Sequence, residues 1–229
     1  MQKLIGKMAS MFPIIAVMGW MIVGISLLIG LLVLSPARVT IFSDAKAVRE
    51  AASTGNLFVN TNVTSHVMET WVPQSKFLGL GLGLMAIVKA LGTIAKRLRV
   101  MGFTIMSHIR ADLRPTMPPI PGRVRIFQFS TVMGVMILLA ALLIGFVLAT
   151  DVGPSYWNHS IANELPAAEG SALLAQLGLL TSYAKWLNPL RMLGMAFLFT
   201  GITIALTVII GTLRKQAELL TRFYNQVTS

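Results

Sequence analysis

The residues best suited to bind a metal or move a proton near neutral pH are His66, His108 and His159, and all three fall in polar stretches between apolar runs. His66-x-Met68-Glu69 puts an imidazole, a thioether and a carboxylate within one turn, a donor set suited to a soft ion such as copper. His159 stands near Asp151 and Glu164 in the same way, with wider spacing. The chain has no cysteine, which removes thiolate ligands, Cys nucleophiles and disulfides. There is no phosphate-binding glycine loop, no Gly-x-Ser-x-Gly elbow and no His-Glu-x-x-His helix. No carboxylate lies inside an apolar run, so the intramembrane acids of a proton-coupled pump are missing. This inventory predicts no catalytic residues and no cofactor, and restricts metal ligation to His66, Met68 and Glu69. Asn62-Val-Thr64 and Asn158-His-Ser160 fit the glycosylation sequon, which matters only in a chain that passes through an endoplasmic reticulum.

The elements that must carry these residues are membrane helices. Of the 229 residues, 55% are hydrophobic and 12% charged, a balance foreign to soluble domains. A bilayer core of about 30 Å takes roughly 20 apolar residues per helix. Four segments qualify, at about 11–35, 77–95, 127–150 and 192–213. The first is too long for a signal peptide and reads as a retained anchor. Ser35-Pro36 is expected to end it, and Asn188-Pro189 to stop an amphipathic helix at about 167–187 ahead of the fourth span.

The chain also repeats itself. Val17–Gly30 (VMGWMIVGISLLIG) recurs 115 residues later as Val132–Gly145 (VMGVMILLAALLIG), nine of the fourteen positions being identical. The same offset pairs Trp71 with Trp186, Lys76 with Arg191, Leu78 with Leu193 and Gly79 with Gly194. The expected fold is an all-α integral membrane protein whose four spans are a tandem duplication of a two-helix hairpin, residues 1–115 and 116–229, with short amphipathic helices between spans. Two spans per copy keep both copies in one orientation, a parallel repeat.

Charge sets the topology. The net charge is +11, and thirteen of the 19 lysines and arginines lie before the first span, between Lys89 and Arg125, or after the fourth span. By the positive-inside rule, the N-terminus, the middle segment and the C-terminus face the cytoplasm. The excess charge then serves orientation and attraction to anionic phospholipid, not nucleic acid. Lys89, Lys96, Arg97, Arg99, Arg110 and Arg114 are the expected lipid-headgroup contacts. Lys89 sits inside a span, close enough to its end for its stem to snorkel outward. Residues 96–114 also carry an apolar stripe opposite their arginines, as an interfacial helix would.

Small residues mark where helices approach: Gly19, Gly79, Gly83, Gly134 and Gly194, with Gly79 and Gly83 forming a GxxxG pair. Trp20 lies deep in the first span and is expected to fill a helix contact. The reading best matched to these features is a non-catalytic subunit, a scaffold or accessory component of a larger complex, in a bacterial inner membrane. Its partners would be other membrane subunits, more readily than copies of itself, and anionic phospholipids. A small oligomeric channel lined by Thr200, Thr203 and Thr207 is the alternative, and a metal-dependent enzyme subunit with an outer-surface site is a third.

Overall fold

A computed structural model of the chain describes residues 11–109, 122–159 and 170–228, and every regular element among them is helical. The order is α1 (Phe12–Ser43), the short α2 (Lys46–Glu50), α3 (Leu57–Ser107), α4 (Gly122–Trp157) and α5 (Ala172–Thr228). Helices α1, α3, α4 and α5 are each long and apolar enough to cross a membrane, consistent with a multi-pass membrane protein. At 51 and 57 residues, α3 and α5 run roughly 75–85 Å, more than twice the hydrocarbon thickness. Their apolar stretches therefore continue into polar helix.

Local chemistry explains where these long helices begin. Gly55 takes φ 87°, open to glycine and strained for other residues. The next residue, Asn56, caps α3 by accepting the Phe58 N–H on its side-chain oxygen at 3.1 Å. At α5 the pattern recurs: Gly170 takes φ 75° and the Ser171 hydroxyl accepts the Leu174 N–H at 3.3 Å. Gly55 and Gly170, Asn56 and Ser171, and the first residues Leu57 and Ala172 are all separated by the same 115 residues that relate the apolar runs.

Two expected helix ends are corrected. Ser35-Pro36 does not terminate α1, because the turn ahead of it widens to π geometry over Gly30–Leu34, with the Ser35 N–H bonding to the Gly30 carbonyl. The extra residue moves the backbone carbonyls away from the proline ring, and the helix resumes over Ser35–Ser43. In α4 a π turn over Leu148–Val152 precedes Gly153-Pro154 in the same manner. Nor does Asn188-Pro189 separate an outer amphipathic helix from the fourth span; Ala172–Leu187 belongs to α5, which passes through Pro189. A proline removes one ladder bond, and Leu187, buried with Ala141 and Leu148, holds the preceding turns in the same packed body. Helix α3 likewise runs through Pro73 and already starts at Leu57, so much of the polar stretch between the first two expected spans is helix. The basic segment after the second span is helical to Ser107 as part of α3. Arg110, Arg114 and the proline-rich connector up to 121 lie outside the described residues, as do residues 167–169 of the expected outer helix.

Contacts divide the chain into two compact units. The first takes the described residues within Met1–Val17, Leu82–Val135 and Gly194–Ser229; the second takes Met18–Gly81 and Met136–Leu193. Each long helix contributes one part to each unit. The second unit is centred on Ala141, Leu148 and Leu187, with Ile144, Leu180 and Tyr183 packed around them. In the first unit Leu198, Ala205, Ile209 and Leu219 of α5 are buried. Trp20, expected in a helix contact, is 73% exposed among the described residues. Its neighbours one turn away, Ala16, Val17, Val23 and Gly24, offer no large side chain to cover an indole.

Candidate functional site

The second unit gathers the polar chemistry of the sequence at the start of α3. Residues Asn60 to Thr70 form a polar run ahead of the apolar stretch that begins at Phe77. One turn of it presents His66 and Glu69 together, with His66 Nδ1 3.3 Å from Glu69 Oε2. Arg38, from the last turns of α1, forms an ion pair with the Glu69 carboxylate. The imidazole of His66 stacks flat on Trp157, the last residue of α4, with centroids 3.7 Å apart and planes inclined by 11°. Tyr156 stands edge-on to the same indole at 4.7 Å. Burial first, and the Arg38 charge second, lower the His66 pKa from 6.5 to about 4, so the ring is neutral at ordinary pH.

This arrangement bears on the metal-ligand set His66, Met68 and Glu69. The structure does bring His66 and Glu69 side by side, but an arginine already occupies the carboxylate. Among the described residues no group of three or more His, Asp or Glu side chains is placed to hold a metal ion, a set that leaves the Met68 thioether out. The sequon residue Asn62 is buried on α3, unlike the exposed Asn158.

Two further residues of this unit escape a sequence reading. Gln74 is 2% exposed, its carboxamide makes no hydrogen bond among the described residues, and it lies against Gly145 of α4, where no side chain intervenes. Arg191 is 6% exposed, with its guanidinium 5.7 Å from the centroid of the Phe77 ring. Pairing Arg191 with Lys76 through the repeat gives no hint that one is buried and the other exposed.

The glycines fall into two pairs. In the second unit, a Cβ added at Gly79 of α3 would lie 2.6 Å from the Gly19 carbonyl oxygen of α1 and 2.7 Å from Val23. In the first unit, a Cβ at Gly134 of α4 would lie 2.8 Å from the Gly194 carbonyl oxygen and 3.0 Å from Leu198, both on α5. Backbone meets backbone at both crossings, which only glycine allows. Gly83, the other half of the GxxxG pair, has open space beside it. Next to the α4–α5 crossing, the buried Ser130 hydroxyl donates to the Phe197 carbonyl at 2.6 Å, an interhelical bond with no sequence signature. Thr200, Thr203 and Thr207 are exposed, and their hydroxyls donate to α5's own carbonyls at Ala196, Phe199 and Ile204.

The first unit also contains a cavity of about 450 Å³ between α3, α4 and α5. Lys96 and Arg99 of α3 line it, as does Lys215 of α5; Arg97 and Lys89 do not. Gln216, 5% exposed, crosses from α5 to donate its side-chain N–H to the Leu98 carbonyl of α3 beside these cations. Gly92, Phe127, Ala205 and Val208 form the apolar wall.

Comparison with protein-family models, curated proteins and solved structures finds no match for this chain.

Proposed function

We propose that the chain is a non-catalytic integral membrane subunit, acting as a scaffold or accessory component of a larger membrane complex. It is built from a duplicated two-helix hairpin in a bacterial inner membrane, with both termini in the cytoplasm. The observation that carries the reading is the bareness of α1. Only 11% of its most apolar window is buried within the chain, against 22% for α3 and 28% each for α4 and α5. Trp20 at 73%, Leu32 at 71% and Phe42 at 69% exposure stand on it, and Gly24 has no atom within 4 Å to meet an added Cβ. Lipid solvates aliphatic side chains well, but an unfilled glycine step beside a large exposed indole suits the close approach of another helix. The duplication is supported by helix starts, glycine crossings and apolar runs that share one 115-residue offset. The orientation rests on the distribution of Lys and Arg.

The test is gentle-detergent purification from the native membrane, with mass spectrometry of all that co-migrates. Foreign membrane subunits in fixed stoichiometry are expected, and Gly24→Leu is expected to release them while the chain itself stays folded. A chain that migrates alone, or only with copies of itself, overturns the reading. The orientation is checked separately by a reporter placed at the exposed turn residue Gly55, which must report the non-cytoplasmic side.

A further inference from the structure

The cavity of the first unit has a wall that changes character along the helix axes. Gly92, Ala205 and Val208 lie toward one end, with the Phe127 ring across from them; Lys96, Arg99 and Lys215 follow one to two turns further on. From Gly92 to Gly102 on α3 and from Ala205 to Leu219 on α5, the lined length is roughly 15–20 Å. Among the described residues no acidic side chain lines it. Glu218 is the one acidic residue among the described residues of this unit, whereas Arg97, Arg123, Arg125, Arg214 and Arg222 surround the cavity-lining cations in sequence. The volume of about 450 Å³ falls within the roughly 300–1,000 Å³ of small-molecule sites.

An apolar slot with three cations toward one end is complementary to an anion that carries a hydrocarbon chain. A soluble phosphate would use the cations and leave the Gly92–Val208 end empty; a neutral lipid would use the slot and leave the cations without a counter-charge. The helices that form the walls are those able to cross a bilayer, so a lipid enters by lateral diffusion. Gln216 ties α5 to α3 through the Leu98 carbonyl at the level of the cations, which braces the walls where a headgroup needs fixed donors. We infer that this cavity binds one anionic glycerophospholipid of the surrounding membrane, with its phosphate held by Lys96, Arg99 and Lys215 and an acyl chain against Gly92, Phe127, Ala205 and Val208.

This site does not depend on the accessory-subunit reading, and its test uses the purified chain alone, so the two fail separately. The full-length protein, stripped of lipid, is titrated with phosphatidylglycerol or phosphatidylcholine of identical acyl chains, and retained lipids are counted by native mass spectrometry. One phosphatidylglycerol per chain is expected, retained about tenfold or more better than phosphatidylcholine. Lys96→Gln, Arg99→Gln and Lys215→Gln together are expected to remove that preference. Gly92→Leu fills the apolar end without touching a cation, since an added Cβ would meet only the Phe127 ring edge, 4.0 Å away. It is expected to lower retention of phosphatidylglycerol about tenfold while helicity and elution stay as in the parent. Arg123→Gln with Arg214→Gln, exposed and outside the cavity, is expected to change retention less than twofold. Undiminished retention in the Gly92→Leu variant would reduce the effect to surface charge and overturn the site. Equal retention of phosphatidylcholine, or displacement of the lipid by inorganic phosphate at equal concentration, overturns it as well.

Discussion

The imidazole of His66 lies flat on the indole of Trp157, 3.7 Å from centroid to centroid, so the start of α3 is clamped to the end of α4 by two rings. The contact joins residues 91 positions apart, whereas among the described residues His108 and His159 hydrogen-bond to nearby backbone or side chains. Arg38 and Glu69 close the cluster on its polar side.

That cluster is sensitive to acid. The folded-state pKa of His66, about 4, lies below its ordinary 6.5, so the unfolded chain binds the proton more readily. The stabilisation is complete above pH 6.5 and is lost progressively as pH falls toward 4. Thermal unfolding in detergent is expected to show a midpoint that drops between pH 6.5 and 4, together with a change in Trp fluorescence. In His66→Phe, which keeps a stacking ring and cannot titrate, the slope across this window is expected to flatten. An unchanged slope would mean that other groups carry the acid response.

The glycine pairs give a sharper comparison. At Gly79 and Gly134 a side chain would run into a carbonyl oxygen on the facing helix, and backbone cannot rotate out of the way. Gly79→Leu and Gly134→Leu are each expected to cost about 2–3 kcal/mol, read as a fall in the unfolding midpoint and in the yield of monodisperse protein. Gly83→Leu, on the same helix and one turn from Gly79, has open space and is expected to stay within about 0.5 kcal/mol of the parent. A loss at Gly83 equal to that at Gly79 would show that added bulk anywhere on this face, not close approach at Gly79, sets the effect, since helix propensity alone favours Leu over Gly.

Hydrogen bonding to a facing helix differs from hydrogen bonding within one. Ser130 donates across to the Phe197 carbonyl, so Ser130→Ala is expected to destabilise by about 1 kcal/mol. Thr200 donates to Ala196 of its own helix, where the carbonyl already has a backbone partner. Thr200→Val, of nearly equal volume, is therefore expected to be close to neutral. Equal losses in chemical-denaturant titrations of the two variants would contradict this assignment.

The four apolar helices and the polar run Asn60–Thr70 follow from sequence alone; the caps after Gly55 and Gly170 are equally local, yet the sequence reading begins no helix at either. Hydrophobicity, capping and the conformational freedom of glycine act over a few residues, and the bilayer length scale translates them directly into elements. Helix continuity through Pro36, Pro154 and Pro189 is not legible in the same way. A proline costs a ladder bond locally, and whether the helix stops or shifts into a π turn depends on what holds the segments on either side; Leu187 buried against α4 is such a hold. The GxxxG spacing marks Gly79 and Gly83 alike, the 115-residue offset singles out Gly79 through Gly194, and the facing backbone of Gly19 lies against Gly79 and not Gly83. Trp20, expected in a contact and found exposed, shows the same limit from the other direction. Which face of an apolar helix meets a neighbour, and hence the His66–Trp157 stack, the Ser130–Phe197 bond and the cation-lined cavity, is set by pairwise fit between helices far apart in the chain. A single apolar helix carries nearly the same hydrophobicity all round, so its sequence determined that it leaves water, and the tertiary structure decided what it touches.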